Sequence, residues 1–420
     1  MHRLPARLSS AVLPLLLAGA FLPADAHAIP AFARKYRVSC SMCHQPVPRL
    51  TPFGEKFAAN GFEMAVGEPA RDTIGTGDPL LRLPNTLPLA VRFEAYQRIL
   101  SDRRPGEATL DQQTPWIIKL LSGGQVADKI SYYMYFLATE RGSVAGLEDA
   151  YVQFTDIKGS GISLIVGQFQ VSDPAFKREL RLFYDDYQPY RVKVGNVTSD
   201  LTYDRGLMAM WSPRDGTDIT AEMVTGEGLN AANDARQFDG DNNKNFALRV
   251  SQDVGPVRLG VFGYTGKQAR AGASSTMRVF GPDATLPLGS LGELNVQALR
   301  RWDSNPFLSA CQAEICAAAA EGVIGHTTVD AAMAEVVLWP QGPGGRWYVT
   351  GLMNYVDADA PVVTLRIGEQ GNDPSAVSRY RTGTMGLHYV LKRNVRLTGE
   401  GTWDFERDRA RLIAGINLAF

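Results

Sequence analysis

The chain is short of cysteine, histidine and net charge. Only four cysteines occur in 420 residues, at positions 40, 43, 311 and 316, with five histidines. Lys and Arg number 43 against 44 Asp and Glu, a net charge of −1, so nothing points to a bulk polyanion partner and nucleic-acid binding is disfavoured. A mean hydropathy of −0.13 is too polar for a bundle of membrane helices. Glycine, at 41 residues, and aromatics, at 9%, are plentiful.

The N-terminus reads as an export signal. Arg3 and Arg7 form a basic region, Ala11 to Phe21 an apolar one, and Ala24-Asp25-Ala26-His27-Ala28 offers small residues for cleavage. The apolar run is too short for a spanning helix. Residues 1–28 are therefore expected to be removed, with cleavage after Ala26 as the alternative.

Half of the cysteine supply lies in Cys40-Ser41-Met42-Cys43-His44. This C-x-x-C-H pattern is the attachment sequence of a c-type haem. Thiols three residues apart can each form a thioether to one vinyl group of the same porphyrin, and the following imidazole can reach the iron. A zinc site needs four ligands, and no second Cys/His pair follows nearby. A redox disulfide would be expected within a thioredoxin-like βαβ pattern, which is missing. The sequence thus predicts one covalently attached haem c held by Cys40, Cys43 and His44. Met64 is a candidate for the second axial ligand, and such a His/Met pair would raise the potential. His388 is the alternative; its parity with Thr384 and Lys392 predicts a lumen-facing position, where a plain polar role is the simpler reading.

Residues 29–67 read as a small helical haem module. Pro30 can open a helix, and Phe32 and Tyr36 share one face. A second helix is expected from Pro52, with Phe53 and Phe57 on one face, to Asn60-Gly61. Forty residues cannot build much core alone, so the module must lean on its cofactor and on something larger.

Residues 68–88, rich in Gly, Pro and Asp, read as a linker. From 89 to 420 the pattern has period two. Leu89, Val91, Phe93 and Ala95 alternate with Arg92, Glu94 and Arg98; Leu412, Ala414, Ile416, Leu418 and Phe420 alternate with Arg411 and Asn417. About sixteen antiparallel strands are expected: 89–100, 114–122, 129–140, 147–157, 161–169, 203–212, 218–225, 244–253, 256–267, 275–281, 291–301, 327–339, 345–357, 378–391, 395–405 and 409–420. Connections after even-numbered strands are mostly short, and the long ones follow odd-numbered strands. Short periplasmic turns with long external loops are the habit of a transmembrane barrel. The fold expected is an all-β, porin-like barrel with an N-terminal haem module. The tryptophans and Tyr132-Tyr133-Met134-Tyr135 would suit interfacial girdles.

The 170–202 connection carries Lys177-Arg178-Glu179-Leu180-Arg181 and Tyr184-Asp185-Asp186-Tyr187. It is expected either to fold inward, bracing the module or lining a constriction, or to be a solvated outer loop. Cys311 and Cys316, four residues apart and lacking a following His, cannot be a second haem motif; a small external-loop disulfide is expected. The Asp-rich loop with Asp234, Asp239 and Asp241 matches no EF-hand.

Ala28-Ile29-Pro30-Ala31-Phe32-Ala33-Arg34, the C-x-x-C-H motif, Pro48, Leu50, Phe53-Gly54 and Gly61-Phe62 together resemble the start of the fused cytochrome–porins of the bacterial outer membrane. The best-known members are outer-membrane cytochromes of iron-oxidising bacteria. The resemblance implies a monohaem segment ahead of a barrel in the outer membrane, the haem module facing the periplasm or the barrel lumen. It implies electron transfer from an extracellular donor, with Fe(II) oxidised to Fe(III), to a periplasmic c-type cytochrome or other carrier. The sequence departs from those iron oxidisers at Gln45-Pro46-Val47-Pro48, where many carry an aromatic and His-rich run. The alternative is a substrate-selective porin in which the haem is a structural or redox-gating plug.

Overall fold

The structure, a computed structural model, describes residues 31–69, 71, 73–103, 107–270, 273–308, 326–364 and 377–420. The export signal and the Cys311/Cys316 pair lie outside them.

Sixteen antiparallel strands close into one barrel. In chain order they are β1 (Leu89–Leu100), β2 (Leu110–Ala127), β3 (Ile130–Glu140), β4 (Gly146–Phe154), β5 (Ile162–Gln170), β6 (Tyr203–Arg214), β7 (Thr217–Val224) and β8 (Asn245–Val254). They continue as β9 (Val257–Arg270), β10 (Ala273–Pro287), β11 (Gly292–Asp303), β12 (Thr327–Leu338), β13 (Trp347–Ala358), β14 (Arg379–Lys392), β15 (Val395–Asp404) and β16 (Arg409–Ala419). β16 pairs with β1 from Arg411↔Leu100 to Ala419↔Arg92, which removes the last edge. A closed sheet satisfies every strand's backbone internally, as a wall in lipid requires.

The surface is inverted relative to a water-soluble protein. On β14, Met385, Leu387 and Leu391 are exposed, whereas Thr382, Thr384 and His388 are buried. On β16, Leu412 is exposed and Arg411 and Asn417 are buried. On these two strands apolar side chains face outward and polar ones inward.

The two largest differences from the expected strand boundaries are the ends of β2 and β10. β2 runs past Gly123-Gly124, because Tyr132 and Tyr133 of β3 keep pairing with them. β10 runs past Gly281-Pro282; its pairing with β11 skips these two residues and resumes at Asp283↔Gln297. Proline lacks the N–H the ladder needs, so a local break replaces a strand end.

Trp211 and Trp347 are exposed near the short-turn end of the barrel, and Trp302 and Trp403 near the long-loop end. They fit two interfacial girdles. Trp116 and Trp339 do not belong to them. Trp116 stacks on Tyr184, 5.1 Å between centroids, and Trp339 lies beneath the Arg49 guanidinium.

The 171–202 connection folds into the lumen. Tyr184 donates its backbone N–H to the Glu400 carboxylate at 3.0 and 3.1 Å, and its hydroxyl donates to Gln113 at 3.1 Å. The Tyr187 hydroxyl donates to Glu335 at 2.7 Å, and Gln188 N–H to Asn354 at 3.0 Å. Arg301 donates to the Val192 carbonyl at 2.7 Å. The loop is thus tied to β2, β11, β12, β13 and β15, and it crosses the barrel as a diaphragm. Its interior holds a bidentate Arg178–Asp186 pair, to which Arg191 adds a contact of 2.6 Å.

Candidate functional site

Among the described residues three short helices precede the barrel: α1 (Ala31–Tyr36), α2 (Cys40–Cys43) and α3 (Pro52–Ala59). Ser39 caps α2 and leaves the motif as a single turn. Thr51 caps α3, accepting from Gly54 N–H at 3.1 Å while its hydroxyl donates to the Met42 carbonyl at 2.8 Å. Pro52 stands in the first turn, where its missing N–H costs nothing. Gly54 is required where α3 meets the motif, since a Cβ there would come within 2.4 Å of the Cys43 carbonyl oxygen.

Phe32, Phe57 and Phe62 pack on one another, with Phe32 stacked on Phe62 at 5.0 Å and edge-on to Phe57 at 5.3 Å. Tyr36 meets Phe57 edge-on at 5.5 Å, and its hydroxyl donates to Glu68. Phe62 continues onto Tyr133 of the barrel wall at 5.5 Å. The module therefore sits against inward-facing residues at the short-turn end of the lumen. Gln153 donates to the Ala59 carbonyl at 2.7 Å, and Arg49 pairs with Glu293. Gly61, at φ +73°, lets the chain pass so close to the wall that a Cβ would meet Thr155 Oγ1 at 2.8 Å and Ser131 Oγ at 2.9 Å.

Between module, wall and diaphragm lies a cavity of about 280 Å³. Cys40, Cys43, His44 and Met64 all line it. Phe32, Tyr36, Phe57 and Phe62 add the module's aromatics, whereas Phe53 stays outside. The wall contributes Tyr133, Tyr135 and Tyr151, and the diaphragm contributes Asp173, Lys177, Glu179 and Leu180. Lys119 of β2 pairs with Glu179, and Arg92 of β1 donates to the Glu179 carbonyl at 3.0 Å, fixing the diaphragm over the cavity.

The lining residues fit a haem. Both thiols are free and half-buried, facing one space. Burial pushes their pKa values up. His44 Nδ1 lies 2.8 Å from the Pro48 carbonyl oxygen. A carbonyl only accepts, so Nδ1 carries the proton and Nε2 keeps its lone pair. This is the arrangement of an imidazole ligand oriented by a backbone carbonyl. Burial also holds the His44 pKa below the ordinary imidazole value, favouring the neutral, ligating form. Among the described residues no group of three or more His, Cys, Asp or Glu side chains is placed to hold a bare metal ion.

His388 is absent from this lining. It faces the lumen as its parity predicts, but its ring is fully buried between Thr350 and Thr398, with Nε2 and Nδ1 2.9 and 3.0 Å from their hydroxyl oxygens. Phe183 of the diaphragm lies edge-on at 6.5 Å. Both nitrogens are engaged, which makes His388 a bracing residue of the barrel interior. The sequence reading missed the contribution of Tyr133 and Tyr135, which it put in a girdle. The alternation itself held the signal: Ser131, Tyr133 and Tyr135 share one parity, and Ser131 is polar.

No family model matches the chain, and no curated protein matches it. Solved structures do. An anion-selective porin from Comamonas acidovorans superposes with a TM-score of 0.54 at 11% identity, covering 80% of this chain and 99% of the porin. OmpT, an outer membrane protein of Vibrio cholerae, superposes in its in-vitro folded trimer form at 0.52 with 12% identity, over 80% of this chain and 99% of OmpT. A loop-deletion mutant of OmpT gives 0.52 at 11% identity. The chain has the porin fold: a closed barrel of sixteen antiparallel strands. These matches leave about a fifth of the chain uncovered.

Proposed function

We propose that this chain is an outer-membrane electron-transfer cytochrome carrying one covalently attached haem c. The observation that carries the reading is the convergence of Cys40, Cys43, His44 and Met64 on one aromatic-lined cavity at the short-turn end of a membrane-type barrel. Cys40 and Cys43 would hold the two thioethers. His44, its Nδ1–H committed to Pro48, would ligate through Nε2, and Met64 is the candidate opposite ligand. The haem, once bound, supplies one-electron exchange with no accompanying proton transfer or bond cleavage. The protein's own part is placement. The sheet excludes lipid, the diaphragm closes the lumen above the cavity, and the module presents the motif at the end with short turns, taken as the periplasmic end.

The donor assigned is extracellular Fe(II), oxidised to Fe(III), on the resemblance of the N-terminal segment; the acceptor is a periplasmic c-type cytochrome or other carrier. Stopped-flow absorbance of the detergent-solubilised, oxidised protein mixed with Fe(II) tests this. Rapid appearance of the reduced haem spectrum, with one haem per chain, is expected. Reduction by dithionite but not by Fe(II) would remove the iron assignment and keep the cytochrome.

The porin fold favours a second reading, a substrate-selective porin with a haem plug. Its signature would be a conducting pore with a haem silent toward external donors. The diaphragm, tied to strands on opposite sides of the barrel, stands against wide conduction.

A further inference from the structure

We propose that the short-turn rim from β10 round to β1 is a docking surface for an acidic, soluble redox protein. The redox character of that partner rests on the function proposed above; the surface itself does not.

The turns between β10 and β11 (288–291), β12 and β13 (339–346), and β14 and β15 (393–394) follow one another around the barrel. None of the three contains a carboxylate, while they and the end of β14 carry Arg346, Lys392 and Arg393. Elsewhere on the same rim each turn that has a base has a carboxylate with it: Asp128 with Lys129, Asp156 with Lys158 and Asp215 with Arg214. Lys129 pairs with Asp156 at 2.6 Å, Arg82 with Asp128 at 2.6 Å, and Arg258 lies between Asp218 and Asp253. Glu293, beside the basic turns, is taken up by Arg49. Glu55 of α3 is exposed next to Lys56, so the pair adds no net charge.

The basic turns are held together. Trp339 Nε1–H donates to the Ser290 carbonyl at 2.9 Å, Arg393 to the Gly344 carbonyl at 3.0 Å, and Arg346 to the Tyr389 hydroxyl at 3.1 Å. Arg34 of α1 extends the arc, donating to the Leu89 carbonyl at the start of β1 at 3.0 Å. Arg37 is exposed just beyond α1. The arc borders the motif: Arg49, in the segment that follows it, lies over Trp339 of the β12–β13 turn at 5.7 Å, and Met42, between the two cysteines, is 39% exposed. A cationic crescent beside an exposed apolar side chain is a steering surface with a contact point. Anionic headgroups would meet only the outer circumference of the rim, because the motif lies within the ring of strands. An acidic protein can span both.

The test is equilibrium binding to the full chain in zwitterionic-lipid nanodiscs. The probe is cytochrome c in two forms: native, with its basic surface, and lysine-succinylated, with an acidic one. The acidic form is expected to bind at low ionic strength and to weaken at least ~10-fold at high salt, with the basic form not binding. A Lys392→Glu/Arg393→Glu double variant should reverse the preference, and Arg346→Glu alone should weaken acidic-form binding. Heat-modifiable migration on gels shows that these barrels are folded. The readout is binding and not electron transfer, so failure of the haem reading would leave this result standing. Equal binding of the two probe forms, or no effect of the double variant, overturns the proposal. So does a double variant that alters only retention on anionic-lipid vesicles, which would assign the arc to headgroups.

Discussion

His44 and Pro48 are joined by a 2.8 Å hydrogen bond from the ring Nδ1–H to the backbone carbonyl, across the turn that leads from α2 to α3. The contact fixes the imidazole tautomer and leaves Nε2 as the nitrogen with a free lone pair. On the proposed cytochrome reading, replacing His44 with Ala should leave the thioethers of Cys40 and Cys43 intact while removing an axial ligand. Haem staining after denaturation should persist, and the oxidised spectrum should become high-spin. The double variant Cys40→Ala/Cys43→Ala should lose the stain altogether. Retention of a low-spin spectrum in His44→Ala would show that another side chain holds the iron.

Met64 lines the same cavity as His44. A thioether ligand stabilises the ferrous state relative to a second imidazole, so Met64→His should lower the haem midpoint potential. Met64→Ala should open the site to small exogenous ligands. A redox titration with both variants decides the matter, and a potential unchanged in both would exclude Met64 from the iron.

Much of this architecture is legible in the chain because lipid and lumen impose opposite demands on neighbouring residues. Met385, Leu387 and Leu391 against Thr384 and His388 is a pattern that only one strand orientation satisfies. The shared position of Cys40, Cys43 and His44 is legible because two thiols and an imidazole within five residues must meet at one turn. The diaphragm is legible only as one of two alternatives, an inward fold or a solvated outer loop. Residues 171–202 carry no period, and their partners Gln297, Glu335, Asn354 and Glu400 lie more than a hundred positions away. Only closure of the barrel brings them together. The same holds for the cavity wall, since nothing near Tyr133 in sequence announces that Phe62 will stack on it.

The seat of the module depends on a close backbone approach. Gly61→Val would force a β-branched residue into φ +73° and push its Cβ against Thr155 and Ser131. The expected cost is about 1–3 kcal/mol, concentrated on docking and not on the barrel. Limited proteolysis should release a haem-stained fragment from the variant and not from the wild type, while the barrel keeps its heat-modifiable migration. Equal protection of both would show that the module is held by Arg49–Glu293 and Gln153 without this contact.

The diaphragm supplies a prediction that separates the two functional readings. Asp186 is 3% exposed and is the shared carboxylate of Arg178 and Arg191. Asp186→Asn would leave two buried guanidinium groups without their counter-charge, a loss of about 3–5 kcal/mol when one partner of a buried ion pair is removed. The strands have their own closed hydrogen-bond ladder, so this cost falls on the loop and not on the wall. The loop should then leave the lumen for part of the time. Planar-bilayer recordings should show the wild type nearly silent and Asp186→Asn conducting in long openings. Because Glu179 and Leu180 of the same loop roof the cavity, the variant should also admit water and small reductants to it, speeding reduction by dithionite. A wild type that already conducts like a general porin, unchanged in Asp186→Asn, would mean that the loop does not bar the lumen. The barrel would then have to be read as a transport pore.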